Sequence, residues 1–99
     1  MSDISWELSF LQKIGANGSI PWFLMASYLY YIKHESLLHD HQFDILCRYM
    51  LDNWTEIEHM HKHLIDVEDL KAGTGFSLKE EDYPQIVKNC AWEVFNERR

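Results

Sequence analysis

The chain has 99 residues, of which 46% are hydrophobic and 14% aromatic, and its formal net charge is −7. This length suits one domain over residues 1–99, and the aromatic content excludes intrinsic disorder. The negative charge argues against direct binding of DNA or RNA, because phosphate contacts need clustered Lys and Arg. We therefore expect a single folded domain that does not bind nucleic acid directly.

Two helices are predicted before residue 33. The first spans about 4–14 and ends in the run Gly15-Ala16-Asn17-Gly18, because glycine and asparagine tolerate the left-handed backbone that follows a helix. The second has Pro21 in its first turn, where no backbone donor is lost, and it ends in Tyr30-Tyr31. Residues 33–39 are predicted to form a polar loop.

The third helix begins near Asp40 and has the clearest amphipathic pattern of the chain. Its apolar residues recur at i, i+3, i+4, i+7 and i+8, which places them on one face. The pattern allows this helix to continue through Trp54 and Ile57. The apolar face consists of Phe43, Leu46, Cys47, Met50 and Leu51.

Two further helices are predicted in the second half of the chain. A short helix over 67–72 has Asp66 as its cap and Gly73 after its end, the residue types that favour those positions. The last helix starts around Asp82 and Pro84. The sequence therefore predicts an all-α fold, a compact bundle of four or five helices. The apolar stripe of the last helix is formed by Ile86, Val87, Cys90, Ala91, Val94 and Phe95.

The cysteine content and the hydropathy pattern indicate where the protein works. Cys47 and Cys90 both fall in predicted helices, so buried reduced thiols are favoured over a disulfide. The most apolar window, Ile20 to Ile32, has 13 residues, whereas a membrane span needs about 20. We expect a cytoplasmic protein that does not enter a membrane.

Aromatic and acidic residues cluster around the predicted loop. Tyr30 and Tyr31 precede it, and Asp40 and Asp44 follow it at i and i+4, so that both carboxylates share one helix face. An aromatic face attracts a cationic ring, and carboxylates accept hydrogen bonds from ribose hydroxyls. A nicotinamide nucleotide presents both groups. The same residues also fit simple helix packing and helix capping, and that alternative stays open.

The order of these residues resembles the nicotinamide-binding motif in the N-terminal helical domain (Ia) of bacterial NAD-dependent DNA ligases. Tyr30, Tyr31, Asp40, Phe43 and Asp44 fall at the matching positions, and the similarity covers about residues 25–52. The resemblance implies that the tyrosine pair holds the nicotinamide ring of NAD or of nicotinamide mononucleotide (NMN). It further implies that the two aspartates contact the amide, the ribose or bound water. Phe43 stands where the family has Tyr, so one hydroxyl is missing.

The resemblance implies binding without catalysis. Ligation needs a lysine nucleophile in a K-x-D-G motif, which the sequence lacks, so the chain is expected not to be an enzyme. The segment from Thr74 to Lys88 also resembles small uncharacterised proteins of tailed bacteriophages, which places the expected role in the cytoplasm of a bacterial host. The alternative is a protein-interaction module or host-factor inhibitor that reuses the scaffold. Its partner would be a host or phage protein, and its anchors would be exposed aromatics such as Trp6, Trp22 or Trp54.

Six histidines make a metal site worth considering. His59 and His63 would share one face of a helix, but zinc needs at least one further ligand. No C-x-x-C or H-E-x-x-H pattern is present. Surface histidines are therefore favoured, and no metal is expected. The run Gly73-Thr74-Gly75 lacks the lysine of a phosphate loop and predicts a helix stop and turn.

Overall fold

The computed structural model describes residues 3–72 and 78–98, with side chains described for 12–72 and 78–97. Every regular element in these ranges is helical, which confirms the all-α prediction. The four α-helices are α1 (Asp3–Ser27), α2 (Asp40–Asp52), α3 (Val67–Ala72) and α4 (Gln85–Arg98). A π-helical turn at Tyr28–Ile32 extends α1, and 3₁₀ turns lie at Trp54–Glu56, Lys62–Leu64 and Glu80–Asp82.

Helix α1 consists of two helical stretches that join without a loop. Gly15 alone leaves the helical conformation, at φ 75° and ψ 171°, which glycine adopts at little steric cost. The predicted helix end at Gly15 is confirmed, but Ala16, Asn17 and Gly18 already belong to the next stretch. Pro21 consequently lies in the second turn of that stretch, and its predicted place in a first turn is wrong.

The second stretch of α1 is the centre of the core. Residues 23–29 are all buried, and a helix that is apolar all round has to be covered on every side. Both α2 and α4 pack against α1, and α4 also packs against the π-helical turn. The buried apolar residues of the other elements are Leu37, Leu38, Leu46, Cys47, Met50, Ile57, Ile65, Leu70, Tyr83, Val87 and Ala91.

Helix α2 is shorter than its apolar pattern allows. It ends at Asp52, so the predicted continuation through Trp54 and Ile57 is wrong. Lys62 stabilises the chain that follows, because its Nζ donates to the carbonyl oxygens of Trp54 (2.6 Å) and Ile57 (2.9 Å). The same ammonium lies 4.7 Å from the centre of the Trp54 ring. Ile57 thus reaches the core from an extended backbone (φ −73°, ψ 130°).

The start of α3 agrees with the prediction. The backbone N–H of Glu68 donates to Oδ1 of Asp66 at 2.9 Å, which is the hydrogen bond of an N-cap. The predicted stop and turn at Gly73-Thr74-Gly75 lies outside the described residues.

Helix α4 starts slightly later than predicted. Asp82 belongs to the preceding 3₁₀ turn, and the carbonyl of Pro84 accepts the N–H of Val87 at 3.0 Å. Pro84 therefore stands at the boundary, where its missing N–H costs no hydrogen bond.

The predicted apolar stripe of α4 is wider than the buried stripe. Val87 and Ala91 are buried, but Ile86 is 64% exposed and Cys90 is also exposed. The prediction that both cysteines are buried is therefore wrong for Cys90. Val87 and Ala91 are an i, i+4 pair that faces the core, whereas Ile86 and Cys90, each one residue earlier, face solvent.

A buried hydrogen bond joins the segment before α4 to α1. The hydroxyls of Tyr83 and Ser27 are 3.0 Å apart, and both residues are buried. Since the Ser27 hydroxyl donates to the carbonyl of Leu24 at 3.2 Å, Tyr83 is the donor in this pair. The Tyr83 ring also packs edge-on against Tyr28, with centroids 5.3 Å apart. Burial raises the pKa of Tyr83 to about 12.

The Tyr83→Phe substitution is expected to lower the free energy of unfolding by about 0.5–1.5 kcal/mol, the usual net contribution of one hydrogen bond. The ring contact with Tyr28 stays, so only the hydroxyl is tested. Tyr49→Phe is the matched control, because the Tyr49 hydroxyl makes no hydrogen bond within the described part of the chain. Urea denaturation measures both variants, and equal losses would contradict the assignment.

The buried thiol of Cys47 is expected to lower the stability of the fold at alkaline pH. Burial first, then the negative charges of Asp44 and Asp69, raise the pKa of Cys47 from 9.0 to about 12. The folded thiol keeps its proton where the unfolded thiol loses it, so stability falls as pH rises from about 9 to about 12. The slope from one such group is at most about 1.4 kcal/mol per pH unit.

Cys47→Ala is expected to flatten this alkaline slope, whatever it does to stability at neutral pH. Cys90→Ala removes an exposed thiol and should leave the slope unchanged. The measurement is urea denaturation at several pH values. An equal effect of both substitutions would show that burial does not set the pH dependence.

Candidate ligand-binding cavity

The two predicted site tyrosines lie on the π-helical turn that ends α1. The N–H of Lys33 bonds to the carbonyl of Tyr28 at 3.3 Å, an i to i+5 bond that widens the last turn. Tyr30 is 47% exposed and Tyr31 is half-buried. Their rings meet edge to face, with centroids 4.9 Å apart. The predicted end of the helix at this pair is confirmed.

Residues 33–39 fold back over the end of α1. His34 adopts the left-handed conformation (φ 61°), which glycine usually takes after a helix. The N–H of Glu35 then bonds to the carbonyl of Leu29 at 2.8 Å. Leu37 and Leu38 return to the core, each 7% exposed. The loop is confirmed, but its anchoring leucines were not predicted; two adjacent leucines in a polar segment were the available signal.

The start of α2 carries the other three candidates, Asp40, Phe43 and Asp44. The N–H of His39, just before the helix, donates to Oε1 of Gln42 at 2.9 Å. Asp40 is exposed at the positive end of the helix dipole. It forms no ion pair and no side-chain hydrogen bond within the described residues. Phe43 is half-buried and stacks on Phe23, with centroids 5.3 Å apart and 24° between the ring planes.

These elements enclose a cavity of about 210 Å³, which we call the Asp40 cavity. Four of the five site residues chosen from the sequence line it, namely Tyr30, Tyr31, Asp40 and Phe43. Three residues that sequence reasoning missed complete the lining: Ala26, Leu37 and Leu38. Ala26 precedes Tyr30 by four residues, the spacing at which helical residues share a face, so it could have been found.

Asp44 does not line this cavity. Its Oδ2 is 3.2 Å from Nε of Arg48, one turn further along α2. Both side chains are largely in solvent, so the pair contributes little to stability. The structure therefore separates the two predicted carboxylates, because Asp40 borders the cavity and Asp44 pairs with an arginine.

The size and lining of the Asp40 cavity limit its ligand. Drug-sized ligands occupy about 300–1,000 Å³, so a cavity of about 210 Å³ suits one ring with its substituents outside. Aromatic and aliphatic walls favour a flat group, and one carboxylate favours a positive one. A planar organic cation meets both requirements.

A second pocket, which is shallower and more open to solvent and which we call the His34 cavity, has a volume of about 330 Å³. It shares Tyr30 and Tyr31 with the Asp40 cavity and is otherwise lined by His34 and Ser36. The shared tyrosine pair makes the two cavities neighbours.

The histidines considered as metal ligands are placed differently. His59 lies outside any helix, so the predicted shared helix face with His63 is wrong. The N–H of His61 donates to Nδ1 of His59 at 3.1 Å, and burial followed by the neighbouring His61 lowers the pKa of His59. Among the described residues, no group of three His, Cys, Asp or Glu side chains is arranged to hold a metal ion.

The predicted aromatic anchors are not exposed where they can be described. Trp22 and Trp54 are half-buried and pack against the core, so their prediction as exposed anchors is wrong. The side chain of Trp6 lies outside the described part. Large exposed apolar residues of the described part are Tyr30, Met60 and Ile86.

Comparison with known proteins adds no family. No protein-family model, curated protein or solved structure matches the chain. Within the described residues, no helix combines the length and the apolar character that a membrane crossing needs. The geometry of the two cavities is therefore the basis for assigning a role.

Proposed function

We propose that the chain is a non-catalytic protein that binds the nicotinamide ring of NMN or NAD in the Asp40 cavity. One observation carries this proposal: Tyr30, Tyr31, Asp40 and Phe43, chosen for their resemblance to the DNA ligase motif, line a single cavity. They come from two helices separated by a loop. Their meeting requires the loop to fold back, which the residue pattern alone does not ensure.

The chemistry of the lining fits a nicotinamide ring. In a nucleotide this ring is flat and carries a positive charge, which tyrosine faces attract by roughly 0.5–2 kcal/mol. The Asp40 carboxylate balances the charge, and it has no cationic side chain as a competing partner within the described part. Phe43 supplies an apolar wall without a hydroxyl, so we expect weaker binding than in a site that has tyrosine there.

The lining also supports binding without catalysis. The seven described residues around the Asp40 cavity include one carboxylate and no lysine, cysteine, serine or histidine. As the resemblance implies, such a protein would be phage-type and would bind the nucleotide in the cytoplasm of a bacterial host.

A protein-interaction module is the second candidate. It is favoured by the 47% exposure of Tyr30 at the edge of the Asp40 cavity, since tyrosine is enriched at the energetic centres of interfaces. In this reading the scaffold serves a host or phage protein partner, for instance as an inhibitor of a host factor, and no nucleotide binds.

Binding of NMN is tested by an amide-shift NMR titration of the labelled protein. We expect saturable shifts at the residues that line the Asp40 cavity. Tyr31→Ala and Asp40→Asn should each weaken the affinity about tenfold, which corresponds to about 1.4 kcal/mol. The first removes the aromatic wall, and the second removes the charge that balances the ring.

Asp52→Asn is the matched control, because it makes the same change at the far end of α2, about 18 Å along the helix axis. Its affinity should equal that of the unmodified protein. Asp44→Asn should cost less affinity than Asp40→Asn, since Asp44 pairs with Arg48. An absence of shifts at millimolar NMN would sink the nucleotide proposal and favour the interaction module.

A further inference from the structure

We infer that the His34 cavity is the subsite for the phosphate group of the nucleotide whose ring enters the Asp40 cavity. This inference rests on the proposed function. It adds to the proposed ring site a place for the phosphate that both NMN and NAD carry beyond the ribose. It also gives roles to His34 and Ser36, which the sequence pattern did not select.

The two cavities are adjacent because Tyr30 and Tyr31 line both. The Asp40 cavity, at about 210 Å³, is smaller than the sites that hold whole drug-sized ligands, so the rest of a nucleotide has to leave past its edge. Along the tyrosine pair it enters a further space of about 330 Å³. One elongated ligand can therefore occupy both cavities.

The linings of the two cavities differ in polarity, as the ring end and the phosphate end of a nucleotide do. The Asp40 cavity is mostly aliphatic and aromatic, and Asp40 makes it attractive to a cation and repulsive to a phosphate. All four residues around the His34 cavity carry a hydroxyl or an imidazole. Such groups donate hydrogen bonds to phosphate oxygens. The orientation is thereby fixed, with the ring beside Asp40 and the phosphate beside His34.

His34 supplies the basic group of this arrangement. Among the described residues that line either cavity, it is the one with a basic side chain. Its backbone is left-handed (φ 61°), a conformation that glycine or asparagine adopts more easily. Strained residues of this kind concentrate at ligand sites.

The test compares NMN with nicotinamide riboside, which has the same ring and ribose but no phosphate. Isothermal titration calorimetry is carried out in mildly acidic buffer, where imidazoles gain protons. We expect the unmodified protein to bind NMN roughly fivefold or more tightly than the riboside, the effect of one charge-assisted hydrogen bond.

His34→Asn is the informative variant, because asparagine accepts the left-handed backbone and carries no charge. It should make the affinity for NMN equal to the affinity for the riboside, while the affinity for the riboside itself stays unchanged. His63→Asn is the matched control at an exposed histidine outside both cavities, and it should keep the full advantage of NMN over the riboside. Thermal melting of both variants reports on folding.

The outcomes separate the two proposals. If neither ligand binds, the proposed function fails and this inference fails with it. Equal affinities of NMN and riboside for the unmodified protein would overturn the phosphate subsite alone. An equal loss of affinity for NMN and for the riboside in His34→Asn would also overturn the phosphate subsite. Inorganic phosphate is the third probe, and binding as tight as that of NMN would also overturn the inference, because the anion would then not depend on the ring.

Discussion

The burial of residues 23–29, at the end of α1 and the start of the π-helical turn, is the constraint on which the rest of the structure depends. Each large apolar side chain removed from water contributes about 1.5–3 kcal/mol, so the chain around this stretch is arranged to cover it. Helices α2 and α4 pack against it. Where α1 must end, the backbone widens into a π-helical turn, which places the tyrosine pair at the edge of the core.

The same constraint explains why a strained loop persists. A left-handed residue other than glycine costs about 1–3 kcal/mol, and His34 is such a residue. Burial of Leu37 and Leu38 contributes more than that, up to about 3–6 kcal/mol for two leucines, even though area-based values are upper bounds. Packing therefore holds the loop against α1, and the Asp40 cavity is a consequence of that packing. A site formed in this way is largely preorganised before a ligand arrives, which lowers the entropic cost of binding.

Local patterns predicted the parts of the fold that depend on local chemistry. The amphipathic face of α2, the cap at Asp66 and the tyrosine pair at a helix end all follow from residues a few positions apart. The predicted site residues line one cavity, except Asp44, and their role in binding stays a prediction. The signal at Asp44 was also local, because Arg48 stands at i+4, where it can pair with the carboxylate.

The predictions that were wrong concern how much of a helix its neighbouring elements cover. Periodicity defines the apolar face of α4, but it does not give the width of the contact, so Ile86 and Cys90 were placed in the core although they are exposed. Helix α2 ends just before Asn53, whose Nδ2 donates to the carbonyl of Tyr49 at 2.8 Å. The segment after it is held by Lys62, ten residues beyond Asp52 along the chain, through its bonds to the carbonyls of Trp54 and Ile57. Leu37 and Leu38 were missed because their burial comes from long-range packing. The ligase resemblance stays a prediction, and the cavity is the physical argument for it.

The central claim is that packing of Leu37 and Leu38 against the end of α1 forms a cavity that receives the nicotinamide ring. Isotope-filtered NOE spectroscopy of the labelled protein with NMN tests it most directly. We expect NOEs from the nicotinamide ring protons to the methyl groups of Leu37 and Leu38 and to the ring of Phe43. The claim is contradicted if a saturated complex shows ring NOEs to exposed residues such as Met60 or Ile86 instead.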